Sequence, residues 1–82
     1  SAYYYLYCQL TPLKRKFLIH FSEGKSIEQI SAEEARTPKR VDQLGKEIRK
    51  IFGLKADEPL QGILDKIRAA ALSLNLNLND VA

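Results

Sequence analysis

The stretch TPKRVDQLGKEIRKIFGL, residues 37–54, reads as one helix with a buried face, a basic face and a stop signal. Thr37 is an N-cap residue by type, and Pro38 suits the first helical turn, where its missing N–H costs nothing. Val41, Leu44, Ile48, Ile51 and Phe52 recur at helical spacing and define one apolar stripe. At about 100° per residue, Lys39, Gln43, Lys46 and Lys50 point nearly opposite to Val41. Asp42 and Arg49 fall on one flank, Arg40 and Glu47 on the other. Gly53 stands where a left-handed residue closes a helix, and Leu54 follows as its apolar partner. A helix of this length spans roughly 20 Å, enough to lie along a DNA major groove.

Upstream, the spacing predicts a helix over 12–22, capped by Thr11 and opened by Pro12, a repeat of the Thr-Pro start at 37–38. Leu13, Phe17, Leu18 and Phe21 form its apolar side, Lys14, Arg15 and Lys16 point mostly outward, and Gly24 ends it. His20 stands on the flank of the apolar side with no cluster of ligands around it in sequence, so a structural role is expected. A short helix runs from Ser26 to between Ala32 and Ala35, with Ser26 and Gln29 spaced as a capping box and Ile27 and Ile30 facing the core. Residues 1–9 make an aromatic lead-in. Its YYYLYCQ run fits either a strand or the approach to a helix, and the tyrosines cover core, a partner subunit or a neighbouring domain.

Downstream, a last helix is expected from near Pro59, capped by Asp57 or Glu58. Leu60, Ile63, Leu64, Ile67, Ala71 and Leu74 form its stripe, which covers the core, pairs with a second copy, or does both. The tail LNLNLND alternates apolar and polar residues, but Asn is a poor strand former and a frayed end is expected. The fold class is therefore all-α: a small four-helix domain over 10–82 with a helix-turn-helix inside it.

Eighty-two residues allow one small domain, whose limited core would gain from a second copy. The single Cys8 excludes an internal disulfide, and no apolar run approaches the length of a membrane span. Net charge is +3, unevenly spread. Residues 35–55 hold seven bases against Asp42 and Glu47, a net of +5, whereas residues 1–34 balance and residues 56–82 are acidic. Positive charge gathered on one helix is the footprint of a nucleic-acid binder. Catalysis is not expected: there is one His, no Gly-rich phosphate loop, no metal-spaced ligand set and no cofactor signal.

Residues 10–54 resemble the helix-turn-helix of LuxR-type (GerE-like) bacterial transcription regulators, without a gap. Leu10-Thr11-Pro12 looks like the family's opening Leu-Thr-x, and Phe17-Leu18 like its Val-Leu pair. Glu23-Gly24-Lys25-Ser26 is similar to its Glu-Gly-Lys/Leu-Ser junction, and Gln29-Ile30-Ser31 to its Glu-Ile-Ala. Thr37 to Val41 resembles the Ser-x-x-Thr-Val that opens the recognition helix, and Ile48 with Phe52-Gly53-Leu54 the Ile and Leu-Gly-Val that close it. The helix at 59–74 looks like the family's dimerising fourth helix, and the likeness covers about two-thirds of the chain. The chain departs from the pattern at Lys14, Arg40 and Leu44. It departs most in the turn: Glu34-Ala35-Arg36 replaces Leu-Gly-Ile, so the local geometry differs from the family's, or Glu34 rotates outward or pairs with Arg36.

The resemblance and the charge together imply a cytoplasmic, nucleoid-associated regulator that binds duplex DNA as a homodimer, with a regulatory domain or protein partner elsewhere. Lys39, Arg40 and Gln43, in the N-terminal half of the helix, are the candidate base readers. Lys46, Arg49 and Lys50 are the candidate phosphate contacts, joined by Thr11, Lys25 and Ser26 at helix starts. Two alternatives keep the fold: a protein-interaction module on a degenerate helix-turn-helix, whose basic helix meets an acidic protein surface, and a promoter-contacting sigma-factor end region.

Overall fold

A computed structural model describes residues 2–76, and among them there are five helices and no strand. They are α1 (Ala2–Gln9), α2 (Pro12–Ser22), α3 (Ile27–Glu34), α4 (Pro38–Ile51) and α5 (Ile63–Ser73). The all-α class holds, with five helices in place of the expected four. The extra one is the aromatic lead-in, which is helical because both faces of the run find partners. Tyr4 and Tyr7 are buried, Tyr3 stacks on Phe52 at 6.2 Å, and only Tyr5 stays mostly exposed. The expected frayed tail from residue 77 lies outside the described residues.

Local chemistry fixes the three central helices. The hydroxyls of Thr11, Ser26 and Thr37 accept from the backbone N–H groups of Lys14, Gln29 and Arg40, and Pro12 and Pro38 occupy the first turns. Helices α2 to α5 each end on a left-handed residue: Gly24, Ala35, Gly53 and Asn75. After each, the next N–H reaches back five residues, as from Leu54 to the Arg49 carbonyl at 2.8 Å. Ala35 and Asn75 both carry a Cβ into this region; Asn tolerates it through local hydrogen bonding, so Ala35, at φ = 53°, is the strained one.

The last helix begins at Ile63, four residues later than Pro59 suggested. Gly62, at φ = 88°, breaks the chain direction, so Leu60 is buried from a turn and not from a helix. The apolar spacing continues through the break, which is why periodicity alone misplaces the start.

Helices α2, α3 and α4 close on one core. Phe17, Leu18, Ile30, Val41, Leu44 and Ile48 are fully buried there, each apolar side chain worth roughly 1.5–3 kcal/mol of burial. Helix α5 lies against α1 and α2, where Tyr4 covers Ala70 and Ala71. Of the two roles open to the stripe, covering the core is the one seen from Leu60 to Ala71, while Leu74 at its end stays exposed. Leu72, on the opposite side of α5, is 70% exposed. No helix among the described residues is long and apolar enough to cross a membrane.

Candidate nucleic-acid interface

Helix α4 presents two opposite faces. Val41, Leu44, Gly45 and Ile48 are buried, and Lys39, Gln43, Lys46 and Lys50 are exposed. The buried face is held close to α2: a Cβ on Gly45 would stand 3.0 Å from the Phe21 ring. Because α4 is pinned there, its basic side is rigidly turned outward. Lys39, Gln43 and Lys50 make no ion pair with the described residues, so their polar groups are directed at solvent. Lys46 bonds to Asp42 at 3.1 Å across one helical turn, an exposed pair worth a few tenths of a kcal/mol.

The flanks are more committed than the sequence indicates. Arg40 meets Glu47 at 3.5 Å, and Glu47 also meets Lys14 of α2 at 3.3 Å. Arg49 turns inward: its Nε donates to the Glu58 carbonyl at 2.5 Å and its guanidinium lies over the Phe21 ring. That side chain ties the loop after α4 to the core, with its guanidinium 5.9 Å from the centre of the Phe21 ring.

At the helix starts, Thr11 and Ser26 are exposed, with their hydroxyl oxygens accepting cap hydrogen bonds. Lys25 is engaged three times. Its ammonium donates to Nδ1 of His20 at 2.9 Å and to Glu33 at 3.0 Å, and lies 3.5 Å from Glu23. The bond to Glu33, with the field of the two glutamates, holds its pKa above the usual lysine value. Because ammonium only donates, Nδ1 of His20 accepts, and Nε2–H donates to Glu34 at 2.6 Å.

The α3–α4 turn resolves differently from expectation. Glu34 pairs with His20 and with Lys16 at 2.9 Å, both on α2, and not with Arg36. Arg36 lies over the Phe17 ring at 5.9 Å, and Ser31 Oγ donates to its carbonyl. Two charged residues therefore fit where apolar ones were expected, because α2 supplies a histidine, a lysine and an aromatic ring to receive them. The His20 bond, then Lys16, lowers the Glu34 pKa below its ordinary 4.5.

Of the nine sequence candidates, Lys39, Gln43, Lys46 and Lys50 share one outward face, and Arg40 borders it. Thr11 and Ser26 stand at separate helix starts, and Lys25 and Arg49 are tied into the fold. Lys14 joins the border through Glu47; no spacing rule within one helix reveals such a link. Among the described residues no group of three or more His, Cys, Asp or Glu side chains is placed to hold a metal. No protein-family model, curated protein or solved structure matches this chain significantly.

Proposed function

We propose that this chain is the DNA-binding domain of a bacterial transcription regulator, a helix-turn-helix in which α3 positions α4 in the major groove. The observation that carries the reading is the rigid outward face of Lys39, Gln43, Lys46 and Lys50 on a helix about 21 Å long. Lys39 and Gln43 lie in the N-terminal half and read base edges. Lys would favour guanine and Gln adenine, each good pair being worth about 1–3 kcal/mol. Lys46 and Lys50, further along, meet phosphates. Arg40 joins the readers when released from Glu47, and Thr11 and Ser26 offer helix-start contacts to the backbone.

On this reading the domain acts at the nucleoid as a homodimer on a two-fold site. With the α5 stripe filled by α1, the exposed Leu72 side of α5 is the surface left to a second copy. Fluorescence anisotropy on mixed-sequence duplex across a salt series tests the reading. Micromolar binding with a steep negative slope of log K on log salt is the expected result. A folded protein that binds no duplex at low salt would move the basic helix to an acidic protein partner.

A further inference from the structure

Glu47 stands at the border of the basic face with its carboxylate shared by two cations from two helices. Oε1 lies 3.3 Å from Lys14 Nζ on α2, and Oε2 lies 3.5 Å from Arg40 Nη1 on α4. Arg40 and Glu47 are seven residues apart, two turns along one line of the helix. The Arg40 side chain is therefore drawn toward the C-terminal half of α4, away from the end that enters a groove. All three side chains remain open to water, at 24%, 35% and 40% exposure for Lys14, Glu47 and Arg40. The pairs are exchangeable, not locked.

Resting on the DNA-binding reading above, we propose that Glu47 is an electrostatic brake on sequence-independent binding. It occupies Lys14, a cation that would otherwise meet a phosphate, draws Arg40 back along α4, and sets a negative charge against the backbone. Phosphate contact carries no sequence information and dominates non-specific affinity, so the brake falls on that term. Lys39 and Gln43 lie outside the bridge and keep their access to base edges. The result is a domain that gives up affinity for arbitrary duplex to favour its own site.

The test is anisotropy on mixed-sequence duplex with the wild-type chain, Glu47→Gln and Asp65→Asn. Asp65 is a highly exposed acid on α5, paired among the described residues only with Arg68 at 4.0 Å, and its substitution makes the same charge change far from the bridge in sequence and on another helix. Glu47→Gln is expected to bind about five- to tenfold tighter at about 50 mM salt, with a salt slope steeper by about one unit. Asp65→Asn should stay within about twofold of wild type, because Asp65 pairs with Arg68 of its own helix and with no cation of the α4 face. Lys14→Gln supplies a second arm that does not depend on Glu47→Gln folding. With Lys14 held by Glu47 in the wild-type chain, that variant should keep its salt slope, since no phosphate contact is lost. A wild-type chain that binds while Glu47→Gln binds no better overturns the brake alone, and so does a Lys14→Gln slope shallower by about one unit. Silence from both the wild-type chain and Glu47→Gln overturns the brake together with the DNA-binding reading.

Discussion

Nε2 of His20 lies 2.6 Å from Oε2 of Glu34, and this bond joins α2 to the end of α3 just before the left-handed turn into α4. A carboxylate whose pKa is lowered by folding stabilises the native state above its unfolded value, and that contribution disappears as pH falls through the folded value. For Glu34 the ordinary value is 4.5, so the loss belongs to the acid limb below it. Glu34→Gln should be less stable than wild type near neutrality, and the two stability curves should converge on acidification. Urea unfolding from near neutrality to about pH 2.5 measures this. Parallel curves would show that Glu34 contributes nothing that titrates.

Ala35 carries the same turn at φ = 53°. A left-handed residue with a Cβ costs about 1–2 kcal/mol, part of which glycine returns as unfolded-state entropy. Ala35→Gly should therefore stabilise the domain by about 0.5–1 kcal/mol, raising Tm by roughly 2–8 °C. A lower Tm would mean that the methyl group packs better than its backbone suffers.

Arg49 and Lys50 are neighbours with opposite commitments, one to the Glu58 carbonyl and the Phe21 ring, the other to solvent. Arg49→Ala should cost about 1–2 kcal/mol of stability. Lys50→Ala should leave stability within about 0.5 kcal/mol and reduce the salt slope of DNA binding by about one unit. Thermal melts and salt titrations on both variants separate the roles; a slope change in neither removes Lys50 from the phosphate set.

Lys46→Ala should weaken binding to every duplex sequence alike, again with a slope reduction of about one unit. The Asp42 pair does not prevent this, since it is a single pair within one helix at 60% and 45% exposure, whereas Glu47 is engaged by cations of two helices and is less exposed. A sequence-dependent loss would place Lys46 among the base readers.

Deleting Ala2–Gln9 should bare Ala70, Ala71 and Phe52 and remove the fully buried Tyr7. The truncated chain is expected to self-associate or lose cooperative unfolding, read by sedimentation and by melting. A monomer with an unchanged melting curve would show α1 to be dispensable.

The three central helices were legible because each start is written in adjacent residues: Thr11-Pro12, Ser26 with Gln29, and Thr37-Pro38. Helix α1 was not, since tyrosine-rich runs suit strands as well, and only Phe52, Ala70 and Ala71 decide the matter from far along the chain. The α5 start was hidden by apolar spacing that runs unbroken from Leu60 to Ile67 across a turn; Gly62 was the signal to weigh. In the candidate interface, the outward face of α4 follows from its period. The pairing of Lys14 with Glu47, the capture of Glu34 by His20, and the inward turn of Arg49 depend on other helices, which helical periodicity does not encode.

The packing of α1 on α5 has a kinetic meaning. These helices lie at opposite ends of the described chain, about sixty residues apart in sequence, while α2, α3 and α4 touch near neighbours. Short-range contacts form first because closing a long loop costs more entropy, so the three central helices should make up the folding nucleus and the two outer ones should dock afterwards. Weakening the Tyr4–Ala71 contact should then speed unfolding and leave the refolding rate almost untouched, the signature of a clasp fastened last.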